Sequence, residues 1–331
     1  MHKGCVIRVG DLGEFGVIQR ISGRLSQGAQ VLLGPGDDAA VLAAPDGRVV
    51  VTTDLLIEGR HFRRDWSSGY DIGRKAAAQN LSDVVAMGAD PTAIVVGLGL
   101  PADTAVAWLE ALTDGFRDEC ALVGASVAGG DIARSDIVVL GVTALGDLGG
   151  RPPVTRAGAR PGDVVAVAGR LGYAAAGLAL LEGGRGTQTH HPVPGEAAAG
   201  RVALIDAHRR PQPAYAQGPE AARLGATAML DVSDGLLQDL GHIAEAAGVG
   251  LVLDPAALPI PEIIAEAAAE LGADPLDWVL TGGDDHALAA TFPDGVRLPP
   301  YWTPIGRVVA GHDVQVEGHT RTKGGWDHFR G

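Results

Sequence analysis

The chain has 331 residues, more than one hydrophobic core usually organises, so two domains are expected. Apolar residues make up 46% and charged residues 20%, which excludes a disordered, charge-dominated chain; 49 Gly and 20 Pro without a collagen period imply many tight turns and close backbone approaches. With 26 Lys and Arg against 40 Asp and Glu the net charge is -14, which argues against nucleic acid or an anionic membrane as partner and requires metal ions between the chain and any phosphate ligand.

Cys5 and Cys120 stand far apart with no CxxC pair, which excludes a disulfide framework and a structural zinc site and fits a reducing cytoplasm. No apolar run approaches the about 18 residues of a membrane helix. Residues 1–10 lack the apolar centre of a signal peptide, so a soluble chain not secreted by that route is expected.

Residues 49–51 read as a buried strand whose end carries Thr52, Thr53 and Asp54. A helix follows from Ser67–Gly69 to about Met87, with Ala77, Leu81, Val84 and Val85 in helical period and Asn80 and Asp83 three apart on a neighbouring stripe. Residues 93–100 form a strand, Pro101 and Asp103 open a helix to about Leu122, and 137–145 form a further strand. The breaker Gly149-Gly150-Arg151-Pro152-Pro153 marks a domain boundary, giving an N-terminal domain over 1–150 and a C-terminal one over 151–331. Beyond it come strand 163–168, helix 173–181, a polar surface loop over 182–195, strand 228–232, helix 236–247, strand 250–253, helix 261–271, strand 288–292 and short strands near Ile305 and Val314.

Six segments place acidic residues beside Gly, Ser or Thr at predicted strand ends and turns: Gly36-Asp37-Asp38, Thr52-Thr53-Asp54, Asn80-Leu81-Ser82-Asp83, Gly129-Gly130-Asp131, Asp231-Val232-Ser233-Asp234-Gly235 and Gly282-Gly283-Asp284-Asp285. Each alone is ordinary turn and cap chemistry. Together, on strand ends that converge on one cleft, they would repel unless hard cations such as Mg²⁺ neutralised them, and a shared metal site is expected.

No GxxxxGK[ST] occurs, which excludes a Walker-type NTPase. Gly97-Leu98-Gly99-Leu100-Pro101-Ala102 loosely fits a dinucleotide loop and keeps a nicotinamide-dependent oxidoreductase as the rival, although a plain strand-to-helix turn explains it equally. Gly129-Gly130 reads either as a close approach to a nucleotide or as a tight turn between strands. Arg156 is either a phosphate clamp or a solvated charge, and His61 and Trp326 are either packing residues or ligand contacts. No HExxH, no GxSxG and no nucleophile–base set is present.

These motifs resemble one known family. Gly-Pro-Gly-Asp-Asp-Ala-Ala from Gly34, Thr-Thr-Asp54 followed by Glu58-Gly-Arg-His61-Phe62, Asn80-Leu-Ser-Asp-Val-Val-Ala-Met-Gly-Ala-Asp-Pro, Gly-Gly-Asp131, Asp231-Val-Ser-Asp-Gly-Leu and the closing Trp326-Asp-His-Phe are similar to thiamine-monophosphate kinases, colinearly over about residues 11 to 329. Single motifs are shared with the wider aminoimidazole ribonucleotide synthetase-like superfamily; the His61-Phe62 pair and the C-terminal Trp-Asp-His-Phe favour this member over a selenophosphate synthetase or a purine-pathway synthetase. A non-catalytic acidic scaffold is the reading from another class.

The resemblance implies an α/β (α+β) two-domain aminoimidazole ribonucleotide synthetase-like fold, with mixed sheets and flanking helices, in a homodimer. It implies ATP-dependent phosphorylation of thiamine monophosphate to thiamine diphosphate with several Mg²⁺. By motif position, Asp38, Thr52, Thr53, Asp54, Asp83, Asp131, Asp231 and Asp234 correspond to metal ligands, with Asp37 a neighbour. Gly130, Asp131, Arg156 and Ser233 correspond to nucleotide contacts, and His61, Asp284 and Trp326 to substrate contacts. Asp284 stands where the family usually has Glu, one methylene longer. An acceptor phosphate monoester, with a second pKa of about 6, is already mostly a dianion near neutrality, so no protein base is needed and catalysis rests on metal and positioning. The Trp326 indole would offer a stacking face to the cationic thiazolium.

Overall fold

The computed structural model describes residues 7–35, 39–184, 196–319 and 324–326. The chain divides into two units, one made of residues 1–84 and 90–149, the other of 85–89 and 150–331.

In chain order the first unit holds α1 (Val9–Ser22), β1 (Val31–Leu33), β2 (Val41–Leu42), β3 (Val50–Ile57), α2 (Gly69–Ala86, whose last two residues count with the second unit), β4 (Asp90–Leu100), α3 (Val106–Ala121), β5 (Ser126–Arg134) and β6 (Val139–Asp147). β1 and β2 pair as a small antiparallel ribbon, and the other strands form a sheet in the order β3-β6-β4-β5, parallel only between β4 and β5. Strand alternation divides this sheet into two faces. Leu56, Leu140, Val142 and Ala144 are fully buried on the face that α2 covers, whereas Val51 and Leu55 on the other face are 64% and 53% exposed. Of the stretch 49–51, expected as a buried strand, Val49 lies before β3 and Val50 and Val51 open a one-sided edge strand. α2 and α3 cross with their backbones almost touching: a Cβ on Gly73 would stand 2.1 Å from Leu112 O, and one on Gly115 2.2 Å from Tyr70 O.

The second unit holds β7 (Val164–Ala168), α4 (Tyr173–Glu182), α5 (Glu196–Arg209), α6 (Gln217–Leu224), β8 (Ala228–Val232), α7 (Leu236–Ala247), β9 (Gly250–Leu253), α8 (Glu262–Leu271), α9 (Pro275–Thr281), β10 (Ala287–Phe292), β11 (Trp302–Val309) and β12 (Val314–Val316). Its sheet runs β12-β9-β11-β7-β10-β8, antiparallel except between β12 and β9. Both faces are covered. Val165, Val167, Leu230, Val232 and Ala289 enter one apolar cluster with Leu236, Leu240 and Ile243 of α7, while Ala166, Ala168, Met229, Leu288, Ala290 and Phe292 enter another with Trp302 and Ala221. That double burial is why these strands read as unbroken apolar runs instead of alternating ones.

The mixed, helix-flanked sheets match the expected fold class. The elements that composition hid are short or rich in Gly. α1 carries Gly13 at φ 68 in its middle, β5 carries Gly129 and Gly130, and α9 spans only seven residues, started by Asp274 accepting from Leu276 N–H and by Pro275. Of the loop expected over 182–195, Glu182 closes α4, and 185–195 lie outside the described residues.

Candidate active site

In the first unit the pleat of β3 decides which motif residues meet. Thr52 and Asp54 share the face that α2 covers, and α2 presents Asn80 and Asp83 to them from one stripe. Thr52 Oγ1 donates to Asp83 Oδ2 at 2.7 Å, and the Asp54 N–H donates to Asn80 Oδ1 at 3.1 Å. Asn80 is fully buried and its amide donates to Ala76 O at 2.9 Å, so the side chain that holds the Asp54 backbone is fixed at both ends. Thr53 faces the other way, donating to Val142 O at 3.0 Å and accepting from Thr143 Oγ1 at 3.1 Å. The sequence places Thr52, Thr53 and Asp54 at the end of their strand, but they lie inside it: Leu55, Leu56 and Ile57 continue the ladder with β6.

Gly129, Gly130 and Asp131 lie inside β5, paired with Val95, Val96 and Gly97, not in a turn between strands. A Cβ on Gly130 would come within 2.2 Å of Val96 O. Asp131 is exposed and shares a rung with Gly97, Gly141 and Leu55, which places it on the face of Thr53 beside bare backbone. Gly97 and Gly99 are thus sheet residues of β4, and the dinucleotide-loop reading loses its loop, since α3 begins only at Val106. After β3, His61 Nδ1 accepts from Ile57 N–H at 3.0 Å, which leaves the proton of the neutral ring to Nε2. Glu58 Oε2 accepts from Val138 N–H at 3.0 Å. Asp37 and Asp38 lie outside the described residues.

In the second unit the chemistry gathers at the C-terminal end of β8. Asp231 is 7% exposed, and its Oδ2 meets His286 Nδ1 at 3.0 Å. The turn Ser233-Asp234-Gly235 then enters α7, with Gly235 at φ 126 and pressed on Thr281 O, where a Cβ would stand at 2.7 Å. Asp239, one turn into α7, accepts from the N–H groups of Asp234 and Gly235 at 3.0 Å each. The loop before β10 closes on the same turn: Asp284 N–H donates to Ser233 O at 2.8 Å and His286 N–H to Val232 O at 3.0 Å. Asp284 and His286 hold φ of 65 and 52, a region that non-glycine residues enter only where the surroundings enforce it. From the C-terminal segment, Trp326 N–H donates to Asp234 O at 2.9 Å and its carbonyl accepts from Gln238 Nε2 at 2.7 Å, leaving the residue 47% exposed. Arg156 is exposed on a short 3-10 turn, Arg156–Gly158, which packs against β8 and α7.

The matching family models are AIR synthase related protein, N-terminal domain, over residues 36–148, and its C-terminal domain over 160–319. The chain is 50% identical over 321 residues to the thiamine-monophosphate kinase of Mycobacterium tuberculosis strain H37Rv, covering 96% of this chain and 92% of the relative. The chain belongs to the thiamine-monophosphate kinase family. Among solved structures, the thiamine-monophosphate kinase of Stenotrophomonas maltophilia K279a is similar at 35% identity and a TM-score of 0.79, over 92% of this chain and 96% of that one. AaThiL complexed with AMPPCP and TMP is similar at 33% identity and a TM-score of 0.78, over 98% and 99%.

In this thiamine-monophosphate kinase family member the donor set suits a hard cation. Thr52, Asp54, Asp83 and Asp131 in one unit, and Asp231, Ser233 and Asp234 in the other, offer oxygen alone. Among the described residues no three His, Cys, Asp or Glu side chains form a cage by themselves. A cation held by one or two carboxylates and completed by phosphate oxygens and water is the mode Mg²⁺ prefers. Crowding at the β8 end supports the fit: burial first, and then the charge of Asp231, push the Asp239 carboxyl up to about 7, with Asp234 adding to the repulsion against two N–H bonds that lower it. A divalent cation relieves that repulsion. Asn80, Asp239 and His286 are the site residues that motif reading left without a role. Asp239 carried a faint signal, an acid in the first turn of a helix; His286 carried none.

Proposed function

We propose that this chain transfers the terminal phosphoryl group of ATP directly to the phosphate of thiamine monophosphate, giving thiamine diphosphate and ADP, with Mg²⁺ as the cation that the oxygen donors of each unit would hold. The observation that carries the reading is the construction of those groups. Thr52 Oγ1 is bonded to Asp83 on the face that Asp54 shares, and Asp231 and Asp234 flank a turn held by Asp239, Asp284, His286 and Trp326. Both offer oxygen donors, which suits a reaction whose attacking group is already an anion and needs no protein base.

Mg²⁺ held by these carboxylates and hydroxyls would offset the charge of two anions that must meet. The residues supply the rest. Asn80 and Asp83 hold the Asp54–Thr52 stretch of β3 in place, Gly130 lets a nucleotide reach the backbone of β5, and Asp131, on the other face of that sheet with Thr53, offers further oxygen donors, to which Asp38 adds by motif position. Ser233 and Arg156 serve the nucleotide phosphates, while His61, presenting Nε2–H, serves the acceptor phosphate. Trp326, half exposed and pinned through its backbone, presents an indole to the thiazolium, and Asp284 reaches the acceptor's pyrimidine end. The homodimer and the cytoplasmic setting rest on the family pattern and on the two well-separated cysteines.

The test is an assay with ATP, Mg²⁺ and thiamine monophosphate, following thiamine diphosphate and ADP by chromatography. Equal amounts of both products, lost on chelation by EDTA and restored by Mg²⁺, are expected. Asp54→Asn and Asp231→Asn should each lower kcat by about 100-fold or more with Tm little changed. ATP consumption without thiamine diphosphate, or full activity in EDTA, overturns the reading.

A further inference from the structure

The reading of Asp231 as a metal ligand leaves open what sets its carboxylate. Asp231 sits in β8 on the face that carries Met229, with Leu288 opposite it in β10, both core residues. A carboxylate sealed to 7% exposure among such neighbours has lost most of its hydration and needs a hydrogen-bond donor in its place. His286, in the loop just before β10, meets this need: its ring is 1% exposed and its Nδ1 stands 3.0 Å from Asp231 Oδ2. A carboxylate oxygen only accepts, so Nδ1 carries the hydrogen. To reach this place the backbone adopts φ 52, held by the His286 N–H bond to Val232 O at 3.0 Å.

We propose that His286 is a positioning residue: resting on the function proposed above, its Nδ1–H fixes the plane of the Asp231 carboxylate for a divalent cation. The bond ties the loop before β10 to β8 beside the Ser233-Asp234-Gly235 turn, so the ligand is aimed before the ion arrives. Such outer partners typically change metal affinity by about 10- to 100-fold when removed.

Two substitutions separate positioning from mere packing. In Asn, Nδ2 is attached to Cγ as Nδ1 is in His, and Asn tolerates positive φ, so His286→Asn keeps the donor near the same place. His286→Gly removes the donor without backbone strain. Binding of Mn²⁺, a paramagnetic stand-in for Mg²⁺, is titrated by electron paramagnetic resonance on the full chain with ADP present, alongside Tm and the Mg²⁺ midpoint of turnover. The expected result is a Mn²⁺ Kd raised about 10- to 100-fold in His286→Gly, as in Asp231→Asn, and within about twofold of the parent in His286→Asn.

Equal affinity in His286→Gly and the parent, while Asp231→Asn weakens binding, overturns the proposal and leaves the metal role of Asp231 standing. Unchanged affinity in Asp231→Asn removes the reading on which the proposal rests, and the proposal with it. Should the Gly variant fail to fold, the Asn variant decides: retained affinity supports the proposal, and a loss of about tenfold or more in a folded protein overturns it.

Discussion

Asp285 shows how one residue of a motif serves the scaffold while its neighbours face the chemistry. It is 5% exposed, and its carboxylate accepts from Gly172 N–H and from Ala174 N–H, the latter at 2.8 Å, amides that no carbonyl inside α4 can serve. Burial pushes this carboxyl from 3.8 up to about 7 against the pull of those N–H bonds. Between these values the folded chain keeps a proton that the unfolded chain has released, so the stability contribution is full below about pH 4 and is lost as pH rises through about 7. Thermal melts from pH 4 to 8 should therefore show a downward term in Tm, with Asp239 acting in the same window, and Asp285→Asn should flatten it. The same variant should lose about 1–3 kcal/mol at acidic pH, because its amide NH₂ would face a backbone donor; a parent-like slope and stability would refute the capping role. Of this acidic pair Asp285 is buried and Asp284 half-buried, and the spacing in Gly-Gly-Asp284-Asp285 carries no mark of which is which.

At the scale of elements, close backbone approach and strand pairing decide where the motifs stand. α2 must lie against β3 for Asp83 to meet Thr52 and for Asn80 to meet the Asp54 backbone, and α3 backs it through Gly69, Gly73 and Gly115. Gly73→Ala would drive a methyl into Leu112 O at 2.1 Å and should destabilise the chain by about 1–3 kcal/mol in urea titration with an unchanged m value. Gly241→Ala in α7, where a Cβ meets nothing within 4 Å, is the control and should stabilise by about 0.5–1 kcal/mol. Equal effects of the two would dismiss the helix contact as the cause. The helix at 236–247 and the strand at 250–253 were legible residue for residue, because apolar period and flanking Gly248 agree. β5 was not: Gly129 and Gly130 depress strand propensity, and only pairing with Val95 and Val96 makes the segment a strand.

Over the whole molecule the net charge of -14 sets a background repulsion that folding works against. Raising NaCl from about 0.01 to 0.15 M should raise Tm by screening it, and Mg²⁺ should raise Tm more than NaCl of equal ionic strength, because an ion that binds the folded state adds its own stabilisation. Equal effects of the two salts would count against specific divalent binding. The resemblance of the motifs carried family and fold class, and the order of residues by itself placed elements such as 236–247 and 250–253, since apolar periodicity reports burial. Tertiary structure alone decided that Thr52 and Asp54 face α2 while Thr53 and Asp131 face away, that Asp285 caps a helix, and that His286 holds Asp231. Those outcomes depend on pleat, register and the packing of residues distant in the chain, and no local pattern encodes which side chain a neighbouring strand or helix will bring opposite.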